Sequence, residues 1–213
     1  MERSKALDQY LKTVNRSLRM LQIYGHINTA IKKELSEEDQ QMMHIDDLVR
    51  SAVVLSVAAM DLYFTDVFSE HFVSYIKRKK PNESMVKILE KAGLNVEQSL
   101  EMFSMKKPYR RIRTLIDAHF SRYVTQNFQK VDDLFVGYRI KSISRSAQTK
   151  LDRRNIVKRI EILIQRRHSI VHRGDLNEHN NVKPIDVKDV LGRIRDMNKF
   201  VVASDGIILS KIR

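Results

Sequence analysis

The sequence contains no cysteine, and this absence excludes disulfides, thiolate metal sites and a cysteine nucleophile. A chain without cysteine also fits a reducing compartment. The first ten residues show no apolar signal core, and no apolar run approaches the roughly 18 residues that a membrane span needs. We therefore expect a cytoplasmic protein with no membrane partner.

Glycine and proline are scarce, with 6 and 3 residues in a chain of 213. Because so few turn-forming residues leave little punctuation for a many-stranded fold, long helices are favoured. Hydrophobic residues make up 42% and charged residues 31%, which is the balance of a folded globular protein. The composition thus predicts an all-α fold, a bundle of about six to eight helices in a single domain over residues 1–213.

Apolar residues recur at spacings of three and four along most of the chain, which is the period of amphipathic helices. The longest pattern, residues 45–79, has a centre that is apolar on every side and predicts a buried central helix. SEEDQQ, which begins at Ser36, is either a helix start or an acidic loop. ISRSAQTK (residues 143–150) is predicted to be a surface loop. GIILSKIR (residues 206–213) is predicted to be a short strand or a docking segment. The other predicted helices cover residues 4–33, 82–91, 96–103, 108–123, 131–138 and 151–171, and a last one begins near Asp186 and carries an apolar stripe to Val201.

The formal net charge is +13, from 39 Lys and Arg against 26 Asp and Glu. This excess predicts attraction to polyanions, with nucleic acid ahead of an acidic membrane surface because no basic amphipathic anchor stands out. Basic residues concentrate in KRKK (77–80), in KKPYRRIR (106–113) and between residues 139 and 159. Any one of these runs is also compatible with an ordinary solvated helix face.

The stretch RRHSIVHRGD, residues 166–175, closes the helix predicted over 151–171. At about 100° per residue, Arg167 falls within roughly 20° of Ile156, in the middle of the apolar stripe that should face the core. A permanently charged guanidinium on a buried line is costly unless something anionic meets it. The pattern leaves three partners open: a carboxylate, a second chain or a phosphate.

Asp61 interrupts an apolar line in the same way, because it lies between Val54 and Phe64 on the face of the central helix that continues to Phe68. In one interpretation Asp61 stands near an edge of that face and caps or pairs locally. In the other it contacts Arg167 or orients a histidine, since a buried acid needs a partner.

His168 and His172 are four residues apart and therefore stack on one edge of the predicted helix. Two metal ligands can have this spacing, but no third ligand is evident, so we predict no metal site and no cofactor. The sequence also lacks a P-loop, a GxGxxG turn, a nucleophile elbow and an HExxH motif. Arginine with histidine suits phosphate chemistry, because Arg offers a planar fork of donors and His transfers protons near neutral pH.

RRHSIVHRGD closely resembles the signature of the HEPN domain family, which has an Arg, a polar residue, three variable residues and a His near the end of a long helix. The matching residues are Arg167, His168 and His172. IVHRGD is similar to the RNHIVHRGG type of sequence in the RiboL-PSP-HEPN branch, and VVLSVAAMDLYF (residues 53–64) resembles the acidic-residue-bearing helix of that branch. The similarity therefore covers both central helices.

The resemblance implies a helical domain that forms a two-fold homodimer and acts as a metal-independent endoribonuclease at a cleft shared by both chains. Arg167 would hold the scissile phosphate, His172 would transfer the 2′-hydroxyl proton or stabilise the transition state, and His168 would assist in orientation, with Asp61 in a supporting role. Such domains occur in toxin and anti-phage systems, which implies an antitoxin or defence-system partner. The residues expected to contact RNA are Lys106, Lys107, Arg110, Arg111, Arg113, Arg166 and Arg173.

Gly174 stands where the branch modified by a nucleotidyltransferase antitoxin has a tyrosine, so that form of regulation is not expected. Two other classes of function stay open. A non-catalytic HEPN module would bind RNA, nucleotide or a protein partner without cleavage. A DNA-binding regulator would bind duplex DNA, although no helix-turn-helix is evident.

Overall fold

The computed structural model describes residues 3–34, 36, 44–121, 125 and 127–212, and within these ranges the chain forms nine α-helices and no strand element. The helices are α1 Lys5–Glu34, α2 Asp46–Arg78, α3 Glu83–Lys91, α4 Val96–Met102, α5 Pro108–Phe120, α6 Phe128–Phe135, followed by a 3₁₀ turn at Val136–Tyr138, then α7 Ile143–Lys150, α8 Ile156–Arg173 and α9 Val187–Ile212. The all-α prediction is confirmed. The helices of the described residues number one more than the upper end of the predicted range.

Helix α2 is the central element, because α1, α5, α8 and α9 all pack against it. It runs without a break for 33 residues and buries apolar side chains on most of its circumference. By length and composition alone, α2 is apolar enough to cross a membrane, since an 18-residue window of it has a mean hydropathy of 1.5. The prediction that no apolar run approaches the length of a membrane span was therefore wrong. Within the described residues the neighbouring helices cover most of that window, and this burial accounts for its apolar composition.

Phe68 lies at the centre of an aromatic cluster that joins α2 to the helices around it. Its ring is fully buried and contacts Phe72, Phe120, Phe135 and Tyr138 at centroid distances of 5.6, 5.2, 5.8 and 4.7 Å. The Tyr138 hydroxyl donates to the backbone carbonyl oxygen of Phe68 at 2.6 Å. Edge contacts between rings and a satisfied hydroxyl make this cluster a well-packed core.

The segment ISRSAQTK is a helix, α7, and the prediction of a surface loop was wrong. Ser142 caps the helix by accepting a hydrogen bond from the backbone N–H of Arg145 at 3.1 Å. Ile143 and Ala147, four residues apart, are buried on one side of it. Ser142 and Ser144 also donate to the Asp132 carboxylate of α6, so the serines that suggested a loop instead fix a short helix, which two apolar residues dock onto the core.

The helix predicted over 151–171 begins only at Ile156, and the one predicted over 131–138 begins at Phe128 and ends at Phe135. Other boundaries agree with the sequence pattern. Asn82 caps α3, Pro108 occupies the first turn of α5, and Gly174 ends α8 with a φ of +58°. The prediction of a short strand from residue 206 was wrong, because α9 continues to Ile212. Two predictions lie largely outside the described residues, namely the segment SEEDQQ after Ser36 and the place of Tyr123 on the stripe of α5.

Truncation of the central ring should show that the aromatic cluster holds the helices together. We expect Phe68→Ala to lower the free energy of unfolding by about 3–5 kcal/mol, since it removes a buried ring and leaves a cavity. Leu62→Ala is the matched control, because Leu62 lies on the same helix and is 50% exposed; its effect should stay within about 0.5 kcal/mol. Denaturant unfolding measures both, and equal losses would contradict this account of the core.

Candidate functional site

Arg167 continues the buried face of α8. Ile156, Ile160 and Leu163 are buried at spacings of four and three, and Arg167 is the next position on that face. Its side chain is half-buried, so the guanidinium leaves the core where the helix nears its end. The structure therefore places Arg167 on the apolar line of this helix, as its spacing predicted.

Arg167 lines an open groove of about 960 Å³ between the start of α1, the middle of α2 and the end of α5. Asp61 of α2 lines the same groove, so both charged residues that interrupt apolar lines lie on one surface. The Thr125 hydroxyl donates towards Asp61, with its oxygen 3.1 Å from the backbone carbonyl oxygen and 3.3 Å from carboxylate Oδ1. Thr125 is 64 residues from Asp61 in sequence, so this bond is not a local cap, and both a pairing role and a supporting role beside Arg167 stay predictions.

Carboxylates outnumber cations around the groove. The carboxylates that line it are Asp61, Asp66, Glu70 and Asp117, and the cations are Lys5, Arg113 and Arg167. Glu70 caps α1, because its carboxylate accepts two backbone N–H groups of the first turn at 3.2 and 3.1 Å. Burial raises the pKa of Asp66 above its ordinary value, and the negative charges of Asp117 and Glu70 raise it further. The chain itself thus supplies an anionic setting for a half-buried guanidinium.

His168 and His172 are exposed, and their ring centroids are 4.4 Å apart. On the helix they lie about 100° and about 140° from Arg167, so the histidines face solvent while Arg167 faces the groove. Neither histidine lines the groove. Within the described ranges, no three His, Asp or Glu side chains are grouped so that they could hold a metal ion.

Asp175 fixes the end of α8, and the sequence analysis did not single it out. Its side chain is fully buried, and Oδ2 accepts from Nε of Arg50 at 3.0 Å and from Nη2 of Arg166 at 2.7 Å. The backbone of Asp175 has a φ of +61°, directly after the left-handed Gly174. Two consecutive left-handed residues turn the chain back, so the carboxylate enters the space between α2 and α8.

Arg166, which was expected to contact RNA, is engaged within the chain. Besides the bond to Asp175, its Nη2 donates to the backbone carbonyl oxygens of Lys183 at 3.1 Å and Pro184 at 3.0 Å. Arg50 donates to the same oxygen of Lys183 at 2.7 Å. The two arginines therefore hold the loop after α8 against α2, which is a structural role, and contact of Arg166 with RNA is untested.

The basic runs take different positions. Arg113 lines the Arg167 groove, so one end of the run 106–113 lies beside it. In the run 139–159, Arg153 and Arg159 instead bind the buried carboxylate of Asp196. Among the residues expected to contact RNA, exposed side chains belong to Lys106, Lys107, Arg110, Arg111, Arg113 and Arg173.

Removing the charge of Asp175 should destabilise the chain strongly. We expect Asp175→Asn to lower the free energy of unfolding by about 3–5 kcal/mol, because it removes the buried carboxylate that Arg50 and Arg166 share and leaves Arg50 only the exposed carboxylate of Asp47. Asn tolerates the left-handed backbone as well as Asp does, so the substitution isolates the charge. Denaturant unfolding measures the change.

Asp189→Asn is the matched control, because Asp189 pairs with Arg193 on α9 but its side chain is 45% exposed. That substitution should cost at most about 1 kcal/mol. A similar small loss for Asp175→Asn would show that the buried pair does not hold the end of α8.

Comparison with family models found one that matches residues 20–209, described as RiboL-PSP-HEPN. The matched range contains Asp61, Arg167, His168 and His172, although the match does not assign roles to them. Comparisons with curated proteins and with solved structures found no match. Since the matched range covers most of the 213 residues, this all-α chain belongs to the RiboL-PSP-HEPN family.

Proposed function

We propose that this chain is a metal-independent endoribonuclease of HEPN type whose cleavage site is built around the end of α8. One observation carries the proposal: the same helix end presents two exposed histidine rings, 4.4 Å apart, on one side and the half-buried side chain of Arg167 on another. The net charge of +13 favours a polyanionic substrate. Membership of the RiboL-PSP-HEPN family supports an action on RNA.

The reaction needs only groups that this helix end offers. In the proposed step the RNA 2′-hydroxyl oxygen attacks the adjacent phosphorus, while His172 accepts the hydroxyl proton. The bond from phosphorus to the 5′-oxygen breaks, and that oxygen takes up a proton from solvent water. Arg167 binds the non-bridging oxygens and stabilises the charge that builds on them. The products are a 2′,3′-cyclic phosphate and a 5′-hydroxyl end, and His168 orients its neighbour.

A second copy of the chain is part of the proposal, because Arg167 and His172 face different sides of α8. A two-fold axis near the helix end would bring the histidines of one copy towards the arginine of the other. Val171, which is 47% exposed and lies between the histidines in sequence, offers apolar surface for such contact. A role in a toxin or anti-phage system, with an antitoxin or defence partner, belongs to the same proposal.

A non-catalytic module that binds RNA, nucleotide or protein is the second candidate, and the groove beside Arg167 favours it. Four carboxylates line that groove against three cations, so a phosphate entering it meets repulsion as well as attraction. If Arg167 interacts only with these carboxylates, the end of α8 has a structural role and does not act on a substrate. Binding of a polyanion would then rest on the basic runs elsewhere.

Cleavage of mixed RNA in the presence of EDTA distinguishes the two candidates. We expect the wild type to cleave, and His172→Ala to lower the rate at least about 100-fold, because the proton acceptor is lost. Arg167→Lys should lower it as well, since the ammonium keeps the charge but not the planar fork. His26→Ala is the matched control, because His26 is an exposed histidine on α1, and it should cleave like the wild type.

Thermal unfolding of each variant checks that it is folded before its rate is compared. Cleavage that persists unchanged in folded His172→Ala and Arg167→Lys would overturn the mechanism. RNA binding by the wild type without any cleavage would favour the non-catalytic module.

A further inference from the structure

Helix α4 presents its apolar side to solvent. None of its residues is buried, and Val96, Leu100 and the adjoining Phe103 are 77%, 62% and 87% exposed. At about 100° per residue these three positions fall within roughly 60° of one another, so they form one stripe. On the opposite side Gln98 is half-buried and Met102 packs against the core. The exposed stripe suits a binding surface, because a large exposed apolar patch is uncommon on an isolated chain.

A basic, acid-free stretch follows directly. No acidic residue occurs between Glu101 and Asp117, and Tyr109 in this stretch is 41% exposed. Nζ of Lys77 lies 4.5 Å from the centre of the Tyr109 ring, so Lys77 joins the same surface and covers one face of the ring. Exposed cations flank the two rings: Lys106, Lys107, Arg110 and Arg111.

We propose that Phe103 and Tyr109 are a stacking platform for unpaired bases of RNA, with the flanking lysines and arginines on the phosphates. Exposed rings interleaved with cations suit a single strand, because every base has a face that stacks and every nucleotide carries a negative charge. A duplex hides its base faces, so it gains only the charge contacts. A second copy of the chain is a poor occupant, because it would bring one basic run against another.

The platform leads towards the candidate cleavage site. Tyr109 and Arg113 are four residues apart on α5 and so share one face, about 6 Å apart along the axis. Arg113 lines the groove that also contains Arg167. A strand stacked on the platform therefore lies one helical turn from the groove that Arg167 lines. This inference rests on the proposed action on RNA and names the form of RNA that is held.

Binding to a labelled single-stranded 2′-O-methyl oligonucleotide, measured by fluorescence anisotropy, tests the platform apart from cleavage. This probe has no free 2′-hydroxyl and cannot be cut by the proposed step. We expect Phe103→Leu and Tyr109→Leu each to weaken binding about fivefold or more, since a leucine keeps apolar surface but cannot stack. Their dependence on salt should stay that of the wild type. The wild type should bind the same sequence as a duplex more weakly.

Two controls separate stacking from its alternatives. Leu100→Ala, on the same exposed stripe, should bind nearly like the wild type if rings rather than apolar area matter. Lys107→Ala should weaken binding to all sequences and lower the slope of log affinity against log salt by about one.

Binding by Phe103→Leu and Tyr109→Leu equal to that of the wild type would overturn the platform. An equal loss in Leu100→Ala would also overturn it, since it would indicate an apolar docking surface for a protein. Because the probe cannot be cleaved, loss of the platform leaves the proposed cleavage standing. Loss of cleavage in the EDTA assay likewise leaves a ring-dependent binding result valid.

Discussion

The buried carboxylate of Asp175 is the interaction on which the geometry of the helix end depends. It accepts hydrogen bonds from Arg50 on α2 and from Arg166 on α8, and it lies just past Gly174, where the helix stops. Because a buried charge without a partner is costly, the three residues hold α8, α2 and the following loop in one arrangement. That arrangement directs Arg167 into its groove and leaves the two histidines towards solvent.

Much of the fold can be predicted from the sequence, because the apolar residues of each long helix recur at spacings of three and four. The position of Arg167 on a buried line follows from the same arithmetic. The spacing of apolar residues does not predict helix α7, because only Ile143 and Ala147 mark its buried side and its serines are typical of a loop. The role of Asp175 could not be predicted for another reason. Its partner Arg50 is 125 residues away in sequence, and no local pattern predicts so distant a pair.

The positive charge of the chain is not concentrated at Arg167. Carboxylates outnumber cations around its groove, whereas the exposed cations of the run 106–113 surround two exposed rings at the junction of α4 and α5. In the proposed function, binding of the RNA and cleavage of the RNA therefore take place on different surfaces. The α4–α5 surface holds an unpaired strand by stacking and by charge, and the end of α8 supplies the few groups that act on one phosphate. Strong general attraction at the reacting position is then unnecessary.

We propose that two copies of α8 complete one cleavage site, with Arg167 from one chain and His172 from the other. The most direct test is a mixed dimer purified through two different tags, in which one chain carries Arg167→Ala and the other His172→Ala. The account predicts that each parent dimer is inactive, whereas the mixed dimer recovers about half of the wild-type cleavage rate, because one complete pair is restored. A mixed dimer as inactive as its parents, beside an active wild type, would contradict it.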